Sequence, residues 1–305
     1  MSISVYITSF NKDKFLSQTI ESVLNQTLEP SEIIIVDDAS SDESREIING
    51  FQSRYPDIIK SVFNEKNYGI SRTRNIAITN CKNKIITFVD GDDYYFKSKL
   101  ETEYSTLINS PLSRCVYSNH IFVDEIGNET GLFASDNDKP VNGYIFKENF
   151  SRLFNVSSGT NFHNEMFYKS CAKNIGLYDE NIKIWEDWDF RIRISKKYQY
   201  AYCENVNSAY RKIVNGLHNS KPLLHYREQL KIYNKNKYLL DDLKEKEKSF
   251  IKNHIYSKLK KLFINVSQKN LNNGNYFSVL IDLFEFVLTF KMKKTFSYII
   301  KSLKI

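Results

Sequence analysis

Short apolar runs alternate with amphipathic stretches over the first hundred residues. Apolar runs of five or six residues are typical of buried strands, and apolar residues at helical spacing predict helices between them. The predicted strands cover residues 3–8, 32–36, 58–63 and 84–89, and the predicted helices cover 12–27, 42–51 and 71–79. This order predicts an α/β fold whose mostly parallel sheet is flanked by helices on both faces.

The alternation weakens after residue 93. The pattern there predicts a helix over 97–108, a mixed or antiparallel strand pair around Gly127, a polar loop over 136–143, a helix over 185–197 and a strand over 198–204. From about residue 221 the chain becomes rich in Lys and in large apolar residues, with almost no Gly or Pro. We therefore predict a domain of residues 1–220 followed by a basic helical region of residues 221–305.

The charge of the chain supports this division. The net charge is +7, but residues 221–305 carry 18 Lys and Arg against 7 Asp and Glu, a net +11, which leaves −4 for residues 1–220. Basic amphipathic helices can lie on an anionic membrane surface. The alternative is a helical cap that packs on the first domain or on a second subunit of a homodimer. No nucleic-acid partner is expected, because no known binding motif accompanies the lysines.

Other features indicate the compartment. The four cysteines are scattered without paired spacing, which favours reduced thiols over a zinc site or a disulfide framework. The chain shows neither a signal-peptide pattern nor an 18-residue apolar stretch. We expect a cytoplasmic protein, and the basic region makes it a candidate for peripheral attachment to the inner face of the cell membrane.

The richest chemistry follows the fourth predicted strand. Asp90, Asp92 and Asp93 fall within four residues at its carboxyl end, and ligands of open α/β sheets bind at that edge. Clustered carboxylates repel one another, so a hard divalent cation that also bridges phosphates is a natural partner. The alternative is an acidic turn in which Gly91 supplies the bend.

Polar residues at the ends of the other strands point to the same edge. Thr8, Ser9, Phe10 and Asn11 close the first strand and can line a base pocket, or Asn11 can simply cap the next helix. Asp38 follows the second strand, where a carboxylate can accept from the imide N–H of uracil. Arg72 and Arg74 begin a short helix, a combination that suits phosphate.

A second acidic pair lies far along the chain. Glu186 and Asp187 open the helix predicted over 185–197 and are candidates for acid–base chemistry. They would also be favoured there by the helix dipole alone. The two tryptophans of the chain, Trp185 and Trp188, flank this pair and would suit a wall against which an acceptor sugar stacks, although Trp188 also fits a core position.

Five segments in this order resemble the inverting, nucleotide-sugar-dependent glycosyltransferases of family 2. They are VYITSFN at 5–11, IVDDASSD at 35–42, NYGISRTRN at 67–75, FVDGDD at 88–93 and WEDWD at 185–189. The resemblance covers about residues 2–220 and implies the GT-A fold, a Rossmann-like sheet, with a nucleotide-sugar half at 1–95 and an acceptor and catalytic half at 96–220.

The resemblance also implies roles for individual residues. Asp90, in the aspartate (DxD) motif, would contact the ribose, while Asp92, with Asp93, would bind Mn²⁺ or Mg²⁺. Arg74 is favoured over Arg72 for the donor. Asp187 would be the general base, with Glu186 assisting.

One position departs from the family pattern. Family members often carry a His soon after a Tyr-Arg pair, but here Ile213 occupies that position and His218 follows five residues later. His218 is therefore a candidate metal ligand, and the alternatives are a surface histidine or neutralisation of the diphosphate by Arg211 or Lys212.

The sequence thus predicts a metal-dependent inverting glycosyltransferase. The expected donor is a UDP-sugar, and the expected acceptor is a glycan or lipid-linked hydroxyl in polysaccharide or lipooligosaccharide assembly. The alternatives are a sugar-phosphate nucleotidyltransferase, which would need a Gly-rich loop after the first strand, and a non-catalytic binding subunit, which would show damaged acidic motifs.

Overall fold

The computed structural model describes residues 2–153, 156–158, 162–213, 221–272 and 276–290, with the side chains of 269–280 outside this description. The chain divides into two compact units, residues 1–214 and residues 215–305. We had placed the boundary at 220, and residues 214–220 are not among those described. The further division of the first domain at residue 95 stays a prediction.

The first four strands form the parallel part of the sheet, in the order β3-β2-β1-β4. They are β1 (Ile3–Ser9), β2 (Glu32–Asp37), β3 (Ile59–Phe63) and β4 (Ile85–Asp90), and they are connected by α1 (Asp13–Leu24), α2 (Ser44–Arg54) and α3 (Ile70–Asn80). The register places Thr8 of β1 beside Asp90 of β4. The predicted gathering of polar side chains at one edge is therefore present.

The second half of the sheet is mixed. Its strands are β5 (Tyr94–Tyr95), β6 (Ser113–Val123), β7 (Glu129–Leu132), β8 (Met166–Tyr168) and β9 (Gln199–Arg211). The order continues from β4 as β8-β6-β9-β5, with β7 on β6. β8 is antiparallel to both β4 and β6, whereas β6 and β9 are parallel. The α/β prediction is confirmed, and the continuous run of parallel strands is confined to the first half, with one further parallel pair, β6 and β9, in the second.

Four helices belong to this second half, α4 (Lys99–Ile108), α5 (Phe146–Ser151), α6 (Lys169–Asn174) and α7 (Glu186–Lys197). We did not predict α5, α6, β5 or β8, because each is too short to show a period. β9 was predicted to end at 204, but it continues to Arg211 through two irregularities in its pairing with β6. This extension brings Arg211 to the acidic loop after β4.

Apolar side chains of the strands cover both faces of the sheet. Tyr6 and Phe88 lie in one core cluster, while Val5 and Val89, their neighbours in sequence, lie in the other. The alternation follows the two-residue period of a strand. Helix α1 buries Leu16, Ile20 and Val23, which recur at helical spacing, in the second of these clusters.

Residues 215–305 contain the predicted helices α8 (Pro222–Asn236), α9 (Glu245–Asn272) and α10 (Tyr276–Phe290). Tyr226, Phe263 and Phe286 contact one another in their core. Ile281, Phe284 and Leu288 of α10 are exposed. None of the described helices combines the length and the apolar character needed to cross a bilayer. Residues 291–305 of the predicted basic helical region lie outside the described residues.

Candidate active site

The loop after β4 is held tightly against the end of β1. Thr8 Oγ1 donates to Asp90 Oδ1 over 2.9 Å, and the Gly91 amide donates to the Thr8 carbonyl over 2.9 Å. A Cβ at position 91 would lie 3.1 Å from that carbonyl oxygen, closer than ordinary van der Waals contact. Gly91 is thus required by the close approach of two strands, and the loop is more than a solvated acidic turn.

Arg74 connects this loop with the distant acidic pair. Its Nη2 donates to both carboxylate oxygens of Asp90, over 3.0 and 2.9 Å, and its Nη1 lies 3.0 Å from Glu186 Oε1. The guanidinium is almost completely buried and packs against the rings of Phe88 and Tyr178. Arg74 therefore bridges α7 and the end of β4, and this burial opposes the predicted direct contact with phosphate.

Asp187 begins a second buried ion-pair network. Its Oδ2 accepts from Arg191 Nη1 over 2.7 Å, one turn along α7. Arg191 also donates from Nε and Nη2 to both oxygens of Glu165, over 2.9 and 2.7 Å. Arg191 and Glu165 are almost completely buried, whereas the Asp187 side chain keeps about a quarter of its surface exposed, 23%. One carboxylate, held in a fixed orientation, is thus open to the cleft.

The other two aspartates of the loop differ sharply in placement. Asp92 keeps 17% of its side chain exposed and forms an ion pair with Lys12. Asp93 is buried, and its Oδ1 accepts from the Arg211 amide over 2.8 Å. Burial raises the pKa of both carboxyls, while Lys12 opposes the rise at Asp92 and the neighbouring Asp92 adds to it at Asp93. The prediction of Asp93 as a direct metal ligand is opposed by this inward orientation.

The prediction of a bound metal rests on few protein ligands. Among the described residues no group of three or more His, Cys, Asp and Glu is arranged to hold a metal ion. Mg²⁺ commonly takes one or two carboxylates and completes its shell with water and substrate phosphate. Asp92 is partly exposed and stays the candidate ligand, although its carboxylate is paired with Lys12 here. His218, the other candidate ligand, lies outside the described residues.

Arg211 has a structural role that excludes the role of free cation considered from sequence. Its guanidinium donates to the carbonyl oxygens of Asp92, Asp124 and Glu125 and to Gln18. These bonds hold the acidic loop in place against α1 and the segment after β6. Lys212 is exposed and lies over the ring of Phe122, 4.3 Å from its centroid.

Asp38 and the end of β1 were the other parts of the predicted nucleotide site. Asp38 is buried, with Oδ1 accepting from Asn64 Nδ2 and the Tyr68 amide and Oδ2 accepting from the Gly69 amide. It thus shapes the loop before α3, and its predicted contact with uracil stays a prediction. Asn11 does not cap α1; its Oδ1 accepts from the Ser41 amide over 2.8 Å.

The other residues predicted to bind the nucleotide differ in the exposure of their side chains. Ser9 is buried, and Phe10 is 43% exposed beside it. Arg72 is exposed, with its guanidinium 4.1 Å from the centroid of the Tyr68 ring. Phe10, Asn11 and Arg72 therefore have exposed side chains.

The two tryptophans do not form one wall. Trp188 is buried, and its indole Nε1 donates to the Asn149 carbonyl of α5 over 2.8 Å. Its predicted contact with an acceptor is therefore wrong, because Trp188, the third residue of α7, lies on the buried face of that helix. Trp185 is half-buried at the start of α7 in a left-handed conformation, φ 66°, with Arg152 lying 4.2 Å from its ring centroid.

A family model described as "Glycosyl transferase family 2" matches residues 4–176, more than half of the chain. The chain belongs to glycosyl transferase family 2. Residues 4–176 include the acidic loop and Arg74, whereas Glu186 and Asp187 follow the matched region.

Relatives of this family 2 glycosyltransferase agree with the assignment. It is 30% identical over 214 residues to an uncharacterized glycosyltransferase of Methanocaldococcus jannaschii, which covers 68% of this chain and 70% of that protein. It is also 30% identical over 189 residues to the minor teichoic acid biosynthesis protein GgaA of Bacillus subtilis, covering 60% of this chain but only 41% of GgaA.

The fold of this family 2 enzyme is shared with a solved structure. Residues 1–349 of TarS from S. aureus, crystallised in complex with UDP-GlcNAc, superpose with a TM-score of 0.69 at 18% identity, covering 95% of this chain and 81% of that one. The predicted GT-A fold is confirmed.

Sequence reasoning missed several residues of the family 2 site. Arg191 carried a signal, because it lies four residues after Asp187 on a helix, where opposite charges meet. No sequence pattern indicated Glu165, Arg152 or the pair of His163 and Tyr210, whose rings stack with centroids 4.2 Å apart. They come from segments without a readable pattern and reach the site through tertiary structure.

Glu186 gives the site a predictable pH dependence. Burial raises its pKa from 4.5 to about 7, with Arg74 opposing the rise and Asp187 adding to it. A carboxyl whose pKa is raised in the folded state stabilises the fold fully below its unfolded pKa, and this stability is lost as pH rises through the folded pKa.

We therefore expect the free energy of unfolding to fall between pH 5 and 7.5, with Glu186 contributing up to about 3 kcal/mol of the change. Urea unfolding of the wild type and of E186Q across this range measures that contribution. The E186Q curve should be flatter, and a curve parallel to that of the wild type would contradict the raised pKa.

Proposed function

We propose that this glycosyltransferase moves a sugar from a UDP-sugar to an acceptor hydroxyl with inversion, in the assembly of a surface polysaccharide, lipooligosaccharide or related glycan. The observation that carries the proposal is Arg74, which ties Asp90 at the end of β4 to Glu186, the neighbour of Asp187. A donor anchor and a proton acceptor are thereby held in one cleft. The UDP-GlcNAc complex of TarS and the name of GgaA support the donor and the glycan class.

The donor would lie along the ends of β1 and β4. Asp90 keeps 28% of its side chain exposed and is oriented by Thr8 and Arg74, so it can accept from a ribose hydroxyl. Phe10 offers a ring to the base, and Arg72 offers a cation near the amino terminus of α3. Asp92 would hold Mn²⁺ or Mg²⁺, which supplies charge stabilisation to the departing diphosphate.

Asp187 would act on the acceptor. Its carboxylate takes the proton of the attacking hydroxyl while the oxygen bonds to the anomeric carbon and UDP leaves with the electron pair of the broken bond. Arg191 holds the carboxylate in place, and Glu165 balances the charge of Arg191. Because only one displacement occurs, the anomeric configuration inverts. A positioned base of this kind contributes about 10²–10⁴-fold to the rate.

The proposal is tested with a panel of nucleotide sugars. The full chain is incubated with each donor and Mn²⁺ or Mg²⁺, and binding is measured by calorimetry while release of nucleoside diphosphate reports turnover. UDP-linked donors should bind and turn over, and chelation with EDTA should stop turnover. Tight binding of a different nucleotide, without binding of UDP, would contradict the donor assignment.

We further propose that α10 attaches the enzyme to an anionic membrane surface. Ile281, Phe284 and Leu288 recur at helical spacing and are about half or more exposed, 49%, 67% and 60%. Three lysines, at positions 291, 293 and 294, follow in the sequence, within a region of net charge +11. An apolar stripe with flanking lysines suits the boundary between lipid headgroups and acyl chains.

Flotation with vesicles of phosphatidylglycerol and phosphatidylcholine tests the attachment. The variant I281S/F284S/L288S should remain unbound, while F250S, which removes an exposed ring from α9, should float as the wild type does. Equal flotation of the triple variant and the wild type would contradict the proposal.

A further inference from the structure

Arg152 differs from the other arginines near the cleft. Arg74, Arg191, Arg193 and Arg211 each donate to a carboxylate or to several carbonyl groups. Among the residues that the structure describes, none lies in ion-pair range of the Arg152 guanidinium or accepts a hydrogen bond from it, and its Nε is buried without a partner. Its contacts are the rings of Trp185 and Trp188, 4.2 and 5.9 Å from its guanidinium carbon.

The surrounding backbone holds the guanidinium in this place. Arg152 ends α5 in a left-handed conformation, φ 59°, and Trp185 begins α7 in another, φ 66°. The bond from the Trp188 indole to the Asn149 carbonyl ties the two helices together. Left-handed backbone at two residues other than glycine costs free energy and persists where the surrounding structure enforces it.

The charge of Arg152 interacts with charged side chains of α7. Burial lowers its pKa, while Asp187 raises it and Arg191 lowers it further. A guanidinium stays protonated in proteins, so a cation without an ion-pair partner among the described residues interacts electrostatically with the proposed base, Asp187. A partly desolvated charge of this kind is costly unless an anion pairs with it.

We propose that Arg152 binds an anionic group, phosphate or carboxylate, on the acceptor of the sugar transfer. This inference rests on the proposed function, because it takes Asp187 as the base that receives the acceptor hydroxyl. The ring of Trp185 supports one face of the guanidinium, and the planar fork of Arg suits bidentate pairing with an oxyanion. The substrate class is therefore an acceptor that carries a negatively charged oxyanion group.

Three ligands with the same ring test the inference. They are methyl β-D-glucoside, its 6-phosphate, and methyl β-D-glucuronide, and they are titrated into the full chain in the presence of saturating UDP. Trp185 contacts Arg152 and is one of only two tryptophans in the chain, so tryptophan fluorescence reports dissociation constants. At least one charged ligand should bind about 10- to 100-fold more tightly than the neutral glucoside. The charged ligand that does so identifies phosphate or carboxylate.

The variants separate the charge from the fold. R152Q should bind all three ligands as weakly as the wild type binds the glucoside, while R152K should keep part of the preference. R54Q is the matched control, because Arg54 is exposed and lies 4.1 Å from the ring centroid of Phe51 on α2; it should behave as the wild type. Thermal unfolding establishes that each variant is folded.

Two outcomes would overturn the inference: equal binding of the charged and neutral ligands by the wild type, or an unchanged preference in R152Q. UDP affinity, measured separately, should be the same in R152Q and the wild type, and a loss in R152Q would assign Arg152 to the donor instead. Failure of the wild type to bind UDP at all would contradict the proposed function without bearing on the preference for charged ligands.

Discussion

Replacing Asp187 with asparagine is expected to lower turnover by about 10²–10⁴-fold while leaving the affinity for UDP unchanged. Asparagine has the same shape as aspartate but cannot take a proton from the acceptor hydroxyl. The fold should persist, because Arg191 keeps its two bonds to Glu165 when the bond to Asp187 Oδ2 is weakened. Calorimetry with UDP and a diphosphate-release assay measure the two properties on the same preparation.

The control for this variant is D189N. Asp189 lies on the same helix and pairs with Arg193 in the same i to i+4 arrangement, but its side chain is completely buried. D189N should lose stability and keep its turnover per folded molecule. Turnover by D187N close to that of the wild type would contradict the assignment of Asp187 as base.

Replacing Arg74 with leucine is expected to lower the free energy of unfolding by about 3–5 kcal/mol. The guanidinium is the cation shared by Asp90 and Glu186, and its removal leaves both carboxylates without their partner. The affinity for UDP should fall as well, since Asp90 loses the group that orients it. Urea unfolding near pH 7 measures the first effect, and calorimetry measures the second.

R72L is the matched control for R74L. Arg72 lies on the same helix but is exposed over the Tyr68 ring, so its replacement should change stability by no more than about 0.5 kcal/mol. Equal stability losses in R72L and R74L would show that the shared ion pair is not what stabilises the fold.

The parts of the site that were predictable from sequence follow from strand order. Parallel strands end at one edge, so Thr8 and Asp90 could be placed together from the apolar runs that precede them. The contact between Glu186 and Arg74 could not be predicted in this way, because 111 residues lie between them along the chain. It depends on the irregular second half of the sheet. The inward placement of Asp93 likewise depends on β9 reaching Arg211.

The error at Trp188 has a different origin. Trp188 lies four residues before Ile192, which is also buried, so the helical period contained the information that this face turns inward. Closeness in sequence to the acidic pair does not determine which face of the helix Trp188 occupies, whereas the helical period does. For Trp185, which precedes the helix, no period applies, and its left-handed backbone becomes visible only in the fold.

The sheet also bears on how such an enzyme diversifies. The three-residue strand β8 joins the parallel strands to the mixed ones, with two residue pairs to β4 and two to β6. Insertions and substitutions in the segments after β4 therefore disturb few backbone hydrogen bonds of the first four strands. Over evolutionary time a lineage can therefore change the segments after β4 while it inherits the first four strands intact.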